Sequence, residues 1–255
     1  MSTTLVDDIE STREGATLII KFARPAKKNA LTVAMYTRLN ALMADAAKDA
    51  SVKCVVFGST SETFTAGNDL GDFMGSPPTG EDSPVFKFIS WLATFEKPLI
   101  AAVDGKGVGL GLTLLLHCDF VVATERTSLV APFVNLGLVP EAASSLLLPK
   151  LVGHARAAEI LLLCEPLSGP KAKEYGLVNE IVTPDQVLPR ALAIAGKLAE
   201  KPPRALALSK SLLKDTAGIT ARMKHEGELF VAQLASPEVA EAITAFFEKR
   251  KPNFG

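Results

Sequence analysis

Between residues 29 and 123, short apolar runs alternate with segments whose apolar residues recur at helical spacing, and this pattern most constrains the fold. The runs predict strands at Val52–Phe57, Pro98–Val103 and Asp119–Ala123. The segments predict helices at Asn29–Asp49 with Thr32 as N-cap, at Val85–Phe95, and in the stretch that ends at His117. Strands alternating with helices imply a parallel sheet with right-handed crossovers, so the predicted fold class is α/β.

The two ends of the chain have a different character. Leu5–Glu10 and Ala16–Phe22 predict two strands joined by a short hairpin at residues 13–15. After Val182 the pattern predicts only helices, at Gln186–Glu200, Arg204–Lys214, Ile219–Ala235 and Pro237–Lys249. We therefore divide the chain into a core, residues 1–195, that carries the site, and a helical C-terminal region, residues 196–255, that covers the core or a neighbouring subunit.

Composition excludes several classes of function. The net charge of −1, from 27 Lys and Arg against 28 Asp and Glu, gives no reason to expect nucleic acid as a partner. The apolar runs are too short to span a bilayer, and the N-terminus lacks the pattern of a secretory signal. The three cysteines and three histidines are scattered without ligand spacing, so we expect reduced thiols, no metal and a cytoplasmic protein.

Two glycine-containing turns are the candidate site. Residues 64–70 and 104–112 each follow a predicted strand and open a helix, which leaves backbone N–H groups unpaired. On neighbouring parallel strands, two such turns could aim two N–H donors at one oxygen, as in an oxyanion hole. The alternative is that the glycines only allow tight strand–helix packing. Dinucleotide binding does not fit, because Leu110 occupies the third glycine position of the G-x-G-x-x-G pattern.

Four motifs in the same order and spacing resemble the crotonase, or enoyl-CoA hydratase/isomerase, superfamily. They are Arg24-Pro25 with Asn29-Ala30-Leu31; Phe64-x-Ala66-Gly67-Asn68-Asp69-Leu70; Lys97-Pro98 through Gly105, Gly109 and Gly111 to Cys118-Asp119; and Gly176-Leu177-Val178. The resemblance covers nearly the whole chain. It implies the crotonase (ClpP/crotonase-like) fold of repeated ββα units, and an assembly that is a homotrimer or a dimer of trimers.

The resemblance also implies a set of site residues. The backbone N–H groups of Asn68 and Leu110 would bind the thioester oxygen of an acyl-CoA substrate and stabilise its enolate. Coenzyme A would be part of that substrate, with no separate cofactor. Substrate-binding positions would be Ala66, Gly67, Phe133 and Leu138, and positions near coenzyme A would be Arg24, Ala26, Lys28 and Lys249.

Acid and base residues select the reaction within this superfamily. The two glutamates of family hydratases correspond here to Thr113 and Phe133, so the chain should be a poor hydratase. Glu141, in the segment from Asn135 to Ser145, instead resembles the single catalytic glutamate of the Δ3,Δ2-enoyl-CoA isomerases. An apolar wall that includes Phe133 and Leu138 should raise the Glu141 pKa. We expect isomerisation of 3-enoyl-CoA to 2-enoyl-CoA.

Alternatives remain open at this point. Glu141 could instead be an acid near the start of a helix that begins at about Ala142, where its charge favours the helix dipole. Hydration or another reaction of the superfamily, and a non-catalytic acyl-CoA-binding subunit, are the competing functions. Asp69 is predicted to cap its turn rather than react. The loop composition of Gly75–Pro84 suggests a mobile segment beside the acyl pocket.

Overall fold

The computed structural model describes residues 3–255, and its main sheet has seven strands. The order across the sheet is β1-β2-β3-β4-β6-β8-β11. These strands are β1 Thr3–Val6, β2 Ile9–Glu14, β3 Thr17–Phe22, β4 Cys54–Ser59, β6 Leu99–Val103, β8 Phe120–Thr124 and β11 Glu180–Val182. From β3 to β11 every neighbouring pair is parallel, which confirms the predicted parallel sheet.

The predicted strand Leu5–Glu10 is wrong, because the chain reverses within it. Asp7 and Asp8 both have positive φ, at 49° and 58°, and form the turn of a hairpin between β1 and β2. Short acidic side chains tolerate this left-handed conformation better than most residues, so the two aspartates allow a turn that apolar periodicity does not show. The second hairpin, between β2 and β3, turns at Gly15 as predicted.

A second, smaller sheet carries the two glycine-containing turns. Its order is β10-β9-β7-β5, and its strands are β5 Thr63–Thr65, β7 Lys106–Val108, β9 Ser128–Val130 and β10 Leu167–Ser168. Each strand is only two or three residues long, which is too short to produce a periodic signal in the sequence. The first turn, residues 66–69, therefore follows β5 and not the long strand β4, whereas residues 104–112 start directly after β6 as predicted and contain β7 before α4 begins.

Helices cover both sheets. Those before β11 are α1 Val33–Lys48, α2 Leu70–Gly75, α3 Pro84–Thr94, α4 Leu110–Thr113, α5 Ser144–Val152, α6 His154–Leu161 and α7 Gly169–Glu174, with 3-10 turns at Pro25–Lys27, Leu114–His117 and Val134–Leu136. Thr32 caps α1 as predicted, because its side chain accepts a hydrogen bond from the Met35 N–H. The loop 76–83 connects α2 to α3.

The end of the described chain is helical, as predicted. After a 3-10 turn at Pro184–Gln186 come α8 Val187–Ala199, α9 Pro203–Leu213, α10 Thr216–Leu234 and α11 Pro237–Glu248. Helix α8 packs on one face of the main sheet, where Ala191 and Ala195 contact the strand residues Val56 and Ile100 within one buried cluster. The predicted boundary at residues 195/196 lies inside α8, and the division into two regions stays a prediction.

The other face of the main sheet holds the larger core. Successive residues of β4 point to opposite faces, so Val55 and Phe57 enter this core while Cys54 and Val56 face α8. Because both faces are covered, the strands read as continuous apolar runs and not as alternating ones. Cys54 and Cys164 are buried, Cys118 is half-buried, and all three thiols are free, in agreement with the prediction. Within residues 3–255, no helix is long and apolar enough to cross a bilayer.

Candidate active site

The two glycine-containing turns lie against each other at the end of the smaller sheet. Strands β5 and β7 are parallel neighbours, with Thr65 opposite Gly107, so the residues that follow them emerge side by side. Gly67 has a φ of 82°, and a Cβ atom placed on it would lie 2.9 Å from the carbonyl oxygen of Val108. Only glycine allows both this conformation and this approach.

The amides of Asn68 and Leu110 are free to bind a ligand oxygen. Leu31 holds the first turn through hydrogen bonds on either side of Asn68, to the Gly67 oxygen at 2.8 Å and from the Asp69 N–H at 2.9 Å. The Asn68 N–H and the Leu110 N–H, at the first residue of α4, have no acceptor among the described residues. Both residues line one cavity, and their role as an oxyanion hole stays a prediction.

That cavity has a volume of about 540 Å³ and brings the predicted residues together. We call it the thioester cavity. Its wall includes every predicted oxyanion, substrate-binding and catalytic position: Ala66, Gly67, Asn68, Leu110, Phe133, Leu138 and Glu141. The other acid on the wall is Asp69, whose carboxylate caps α2 through the Gly71 and Asp72 N–H groups and binds Arg24 at 2.6 Å. Asp69 is thus a structural acid, as predicted.

Glu141 is a buried carboxyl with few polar neighbours. Its exposed fraction is 7%, and it accepts a hydrogen bond from the hydroxyl of Thr113. Burial raises the pKa of Glu141 to about 8; the bond from Thr113 opposes this shift, and the charge of Glu226 adds to it. A carboxyl whose pKa lies near neutrality is suited both to take and to return a proton. The direction of the shift agrees with the prediction.

The family resemblance aligns two positions, Thr113 and Phe133, with the glutamates of hydratases, and both lie near Glu141 in the structure. Thr113 is fully buried on α4 and donates the hydrogen bond just described. Phe133 is 6% exposed and forms part of the apolar wall of the thioester cavity. Neither position carries a carboxyl: one bonds Glu141, and the other adds apolar surface to the cavity.

The alternative reading of Glu141 as a helix-start acid is wrong. Helix α5 begins at Ser144, two residues later than predicted, because Ala142 and Ala143 have left-handed φ values of 57° and 54°. The Glu141 side chain bonds Thr113 and not the N-terminus of α5. The carboxylate that does bond this N-terminus belongs to Glu226 on α10, which accepts from the Ala143 N–H at 2.6 Å.

Tyr36 is a cavity residue that the sequence did not reveal. Its hydroxyl donates a hydrogen bond to the side-chain oxygen of Asn68, and its ring lines the thioester cavity. Burial raises the pKa of Tyr36 well above its ordinary value, with a further contribution from the charge of Glu141. On α1, Tyr36 follows the same helical spacing as the core residues Met35 and Leu39, so its position alone carried no functional signal.

The residues predicted near coenzyme A lie outside the thioester cavity. Arg24 is half-buried and paired with Asp69, while Ala26 and Lys28 are exposed in the segment that follows it. Lys249 is exposed at the end of α11. Lys27, which the sequence did not single out, borders the cavity. The roles of all four predicted positions stay predictions.

Glu141 also borders a second, larger cavity of about 1300 Å³. Residues 79–82 of the loop between α2 and α3 line it, together with Trp91 on α3 and Met223 on α10. The predicted acyl-pocket segment is therefore beside a cavity that reaches Glu141. Its use by an acyl chain stays a prediction.

The histidines have no ligand arrangement in the described part of the chain. His117 is buried, its pKa is lowered by burial to about 3, and its Nε2 lies 2.8 Å from the carbonyl oxygen of Ala142. His154 and His225 are exposed. Among residues 3–255 there is no group of three or more His, Cys, Asp or Glu side chains that could hold a metal ion.

Sequence comparison places these features in a family. The family model described as enoyl-CoA hydratase/isomerase matches residues 12–255. The 2,3-dehydroadipyl-CoA hydratase of Escherichia coli K12 is 33% identical over 247 residues, which cover 95% of this chain and 96% of that protein. Enoyl-CoA delta isomerase 2 of Rattus norvegicus is also 33% identical, over 94% of this chain and 63% of that longer protein.

Solved structures agree with the sequence comparison. Pseudomonas aeruginosa OdaA superposes with a TM-score of 0.92 at 43% identity and covers 94% of this chain and 99% of its own. An enoyl-CoA hydratase/isomerase from Pseudoalteromonas atlantica T6c also has a TM-score of 0.92, at 38% identity, over 98% of this chain and 100% of its own. With a matching fold, matching motifs and a match over nearly its whole length, the chain belongs to the enoyl-CoA hydratase/isomerase family of the crotonase superfamily.

Proposed function

We propose that the protein isomerises 3-enoyl-CoA to 2-enoyl-CoA with Glu141 as its only acid/base residue. One observation carries this proposal. The Glu141 carboxyl, which has no ion-pair partner among residues 3–255 and whose pKa is raised to about 8, lines the same cavity as the free Asn68 and Leu110 amides. A proton shuttle needs one such group, whereas hydration needs one group to activate water and a second to deliver a proton.

The proposed reaction moves one proton and one double bond. Glu141 removes a proton from C2, which the thioester and the C3=C4 bond both acidify. The electron pair moves toward the thioester oxygen, and the Asn68 and Leu110 N–H groups stabilise the resulting dienolate more than the ground-state carbonyl. The same carboxyl returns the proton at C4, so the C2=C3 bond forms and no atom is gained or lost.

The surroundings of Glu141 support a shuttle over hydration. Phe133 and Leu138 form an apolar part of the cavity wall. In a hydratase, the position of Phe133 would hold a second glutamate that binds the reacting water. Thr113 binds one oxygen of the carboxyl and leaves the other for the substrate. Since the carboxyl is buried, its protonated and ionised forms are close in free energy near neutral pH, which favours both halves of the proton transfer.

The test combines a 3-enoyl-CoA substrate, deuterated water and a Glu141→Gln variant. Wild-type protein should produce the conjugated thioester, seen by its near-ultraviolet absorbance. Because the same carboxyl carries the proton from C2 to C4, mass spectrometry should find most product molecules without deuterium. The variant should be slower by about 10²–10⁴-fold, the usual contribution of a general base. Glu159→Gln, an exposed glutamate on α6, is the matched control and should retain full activity.

Two other outcomes would replace the proposal. Rapid addition of water to a 2-enoyl-CoA, with no conversion of the 3-enoyl-CoA, would indicate a hydratase, as several relatives are named. Saturable binding of acyl-CoA with neither isomerisation nor exchange of the C2 protons would indicate a binding subunit. Equal isomerase rates for wild type and Glu141→Gln would remove Glu141 from the mechanism.

A further inference from the structure

A strained turn links Glu141 to helix α5. Ala142 and Ala143 are consecutive non-glycine residues in the left-handed region, with φ values of 57° and 54°. This conformation is disfavoured for an L-residue with a Cβ atom, because the Cβ crowds the following carbonyl oxygen. Such a turn persists only where neighbouring groups hold it, and strained residues cluster at functional sites.

Glu226 bonds the end of this turn and the first residues of α5. Its carboxylate accepts from the Ala143 N–H at 2.6 Å, from the Ser145 N–H at 3.1 Å, and from the Ser145 hydroxyl. Helix α5 has no side-chain cap of its own, so a carboxylate from α10 takes the place of one. Glu226 is 4% exposed, which makes it one of the few buried acids of the described chain.

The other side of the turn is also fixed. The ring of His117 bonds the Ala142 carbonyl oxygen at 2.8 Å, and the Ser144 N–H bonds the Glu141 carbonyl oxygen at 3.0 Å. The peptide groups on both sides of Ala142 and Ala143 therefore have set directions. Because Glu141 immediately precedes them, the direction of its side chain depends on the same bonds.

We propose that Glu226, in the helical C-terminal region, is a positioning residue that acts on Glu141 through the Ala142–Ala143 turn. The inference rests on the proposed function, since it concerns the carboxyl assigned there as the base. Glu226 lines neither cavity that borders Glu141, so it does not contact the substrate itself. Its effect on the reaction passes through the turn and through its charge.

The charge of Glu226 gives this role a readout beyond folding. Burial raises the pKa of Glu226, but its three bonds from Ala143 and Ser145 favour the ionised form, and so does the charge of Arg222. In turn, the negative charge of Glu226 raises the pKa of Glu141. Two other nearby titratable groups, His117 and Tyr36, are neutral at working pH, because burial lowers the pKa of His117 to about 3 and raises that of Tyr36 well above its ordinary value.

The experiment measures isomerisation of a 3-enoyl-CoA by full-length wild type, Glu226→Gln and Ser145→Ala between pH 6 and 9.5. Glutamine keeps the size of Glu226 but places an N–H₂ group against one of the donors. We expect kcat to fall about 10–100-fold, because displacing a reacting group by about 1 Å can cost about 10²-fold, with KM nearly unchanged. The acidic limb of kcat/KM should move to lower pH. Ser145→Ala, which keeps the charge, should lower kcat less and leave the limb in place.

Two additional measurements separate this inference from the proposed function. In the Glu141→Gln background, Glu226→Gln should cause no further loss if it acts through Glu141. The Glu141 carboxyl is also followed by ¹³C NMR of glutamate-labelled protein, and its titration should move to lower pH in Glu226→Gln whichever reaction the enzyme performs. A moved titration in a protein that does not isomerise would reject the proposed function alone.

The inference is overturned if Glu226→Gln, folded by circular dichroism, keeps the wild-type kcat and the wild-type acidic limb. It is also overturned if the variant loses the same factor in the Glu141→Gln background, because the effect would then bypass Glu141. If Glu226→Gln does not fold, Ser145→Ala decides, and an unchanged kcat in that variant counts against the proposal.

Discussion

Replacing Glu141 by glutamine should stabilise the protein while it removes activity. In the unfolded chain this carboxyl has a pKa of 4.5, and in the folded protein burial raises the pKa to about 8. Between these values the folded state binds the extra proton, so its stability falls by about 1.4 kcal/mol for each unit of rising pH. At pH 7 the accumulated cost is about 3 kcal/mol, and a neutral glutamine avoids it.

The assay is urea unfolding followed by circular dichroism at several pH values from 5.5 to 8.5. The protein concentration is held constant, because association also contributes to stability. The difference between Glu141→Gln and wild type should grow by about 1.4 kcal/mol per pH unit up to pH 8 and then level off. Glu159→Gln, which changes an exposed glutamate, is the control for the substitution itself. A difference that is absent, or that does not depend on pH, would refute the assignment of Glu141 as a desolvated carboxyl.

Three further predictions follow from the described geometry. The kcat/KM for isomerisation should fall about tenfold per pH unit below pH 8, because Glu141 must be ionised to act as a base, and a flat profile from pH 6 to 9.5 would contradict this. Gly67→Ala should lower kcat/KM by about 100-fold by displacing a turn whose new Cβ meets a backbone oxygen at 2.9 Å, whereas Gly196→Ala, in open space on α8, should not. Leu212 and Leu213 on α9 are 88% and 90% exposed; in the expected trimer they should be covered, so charged substitutions there should reduce the mass measured by light scattering.

The main sheet and the long helices could be predicted because burial repeats along them. β4, β6 and β8 are covered on both faces and therefore read as unbroken apolar runs. The strands β5, β7 and β9 left no comparable signal, because three residues do not complete a pattern. The hairpin turn at Asp7 and Asp8 was also missed, because a turn of two residues does not interrupt the apolar pattern on either side of it.

The part of the candidate site formed by backbone N–H groups could be predicted, because glycines mark the turns that carry them. Glycines such as Gly67 indicated two turns with free amides, and the family resemblance, not the spacing, assigned those amides to Asn68 and Leu110. Tyr36 and Glu226 could not be predicted, because each occupies a position on a helix whose neighbours are core residues. Only the three-dimensional structure shows which of those side chains faces a cavity or a strained turn.

The candidate site combines backbone N–H donors with a side-chain carboxyl, and this division suggests how one fold accommodates different reactions. Main-chain donors depend on the meeting of β5 and β7 and are insensitive to most side-chain changes. The carboxyl, in contrast, depends on single side chains: Thr113 bonds it, and Phe133, which the family resemblance aligns with a hydratase glutamate, lines the same cavity. Substituting glutamate at these two positions would place three carboxyls around one buried volume, and mutual repulsion would then raise the Glu141 pKa further. From the proposed isomerase, a change to a hydratase should therefore require the loss of Glu141 as well as the gain of two acids.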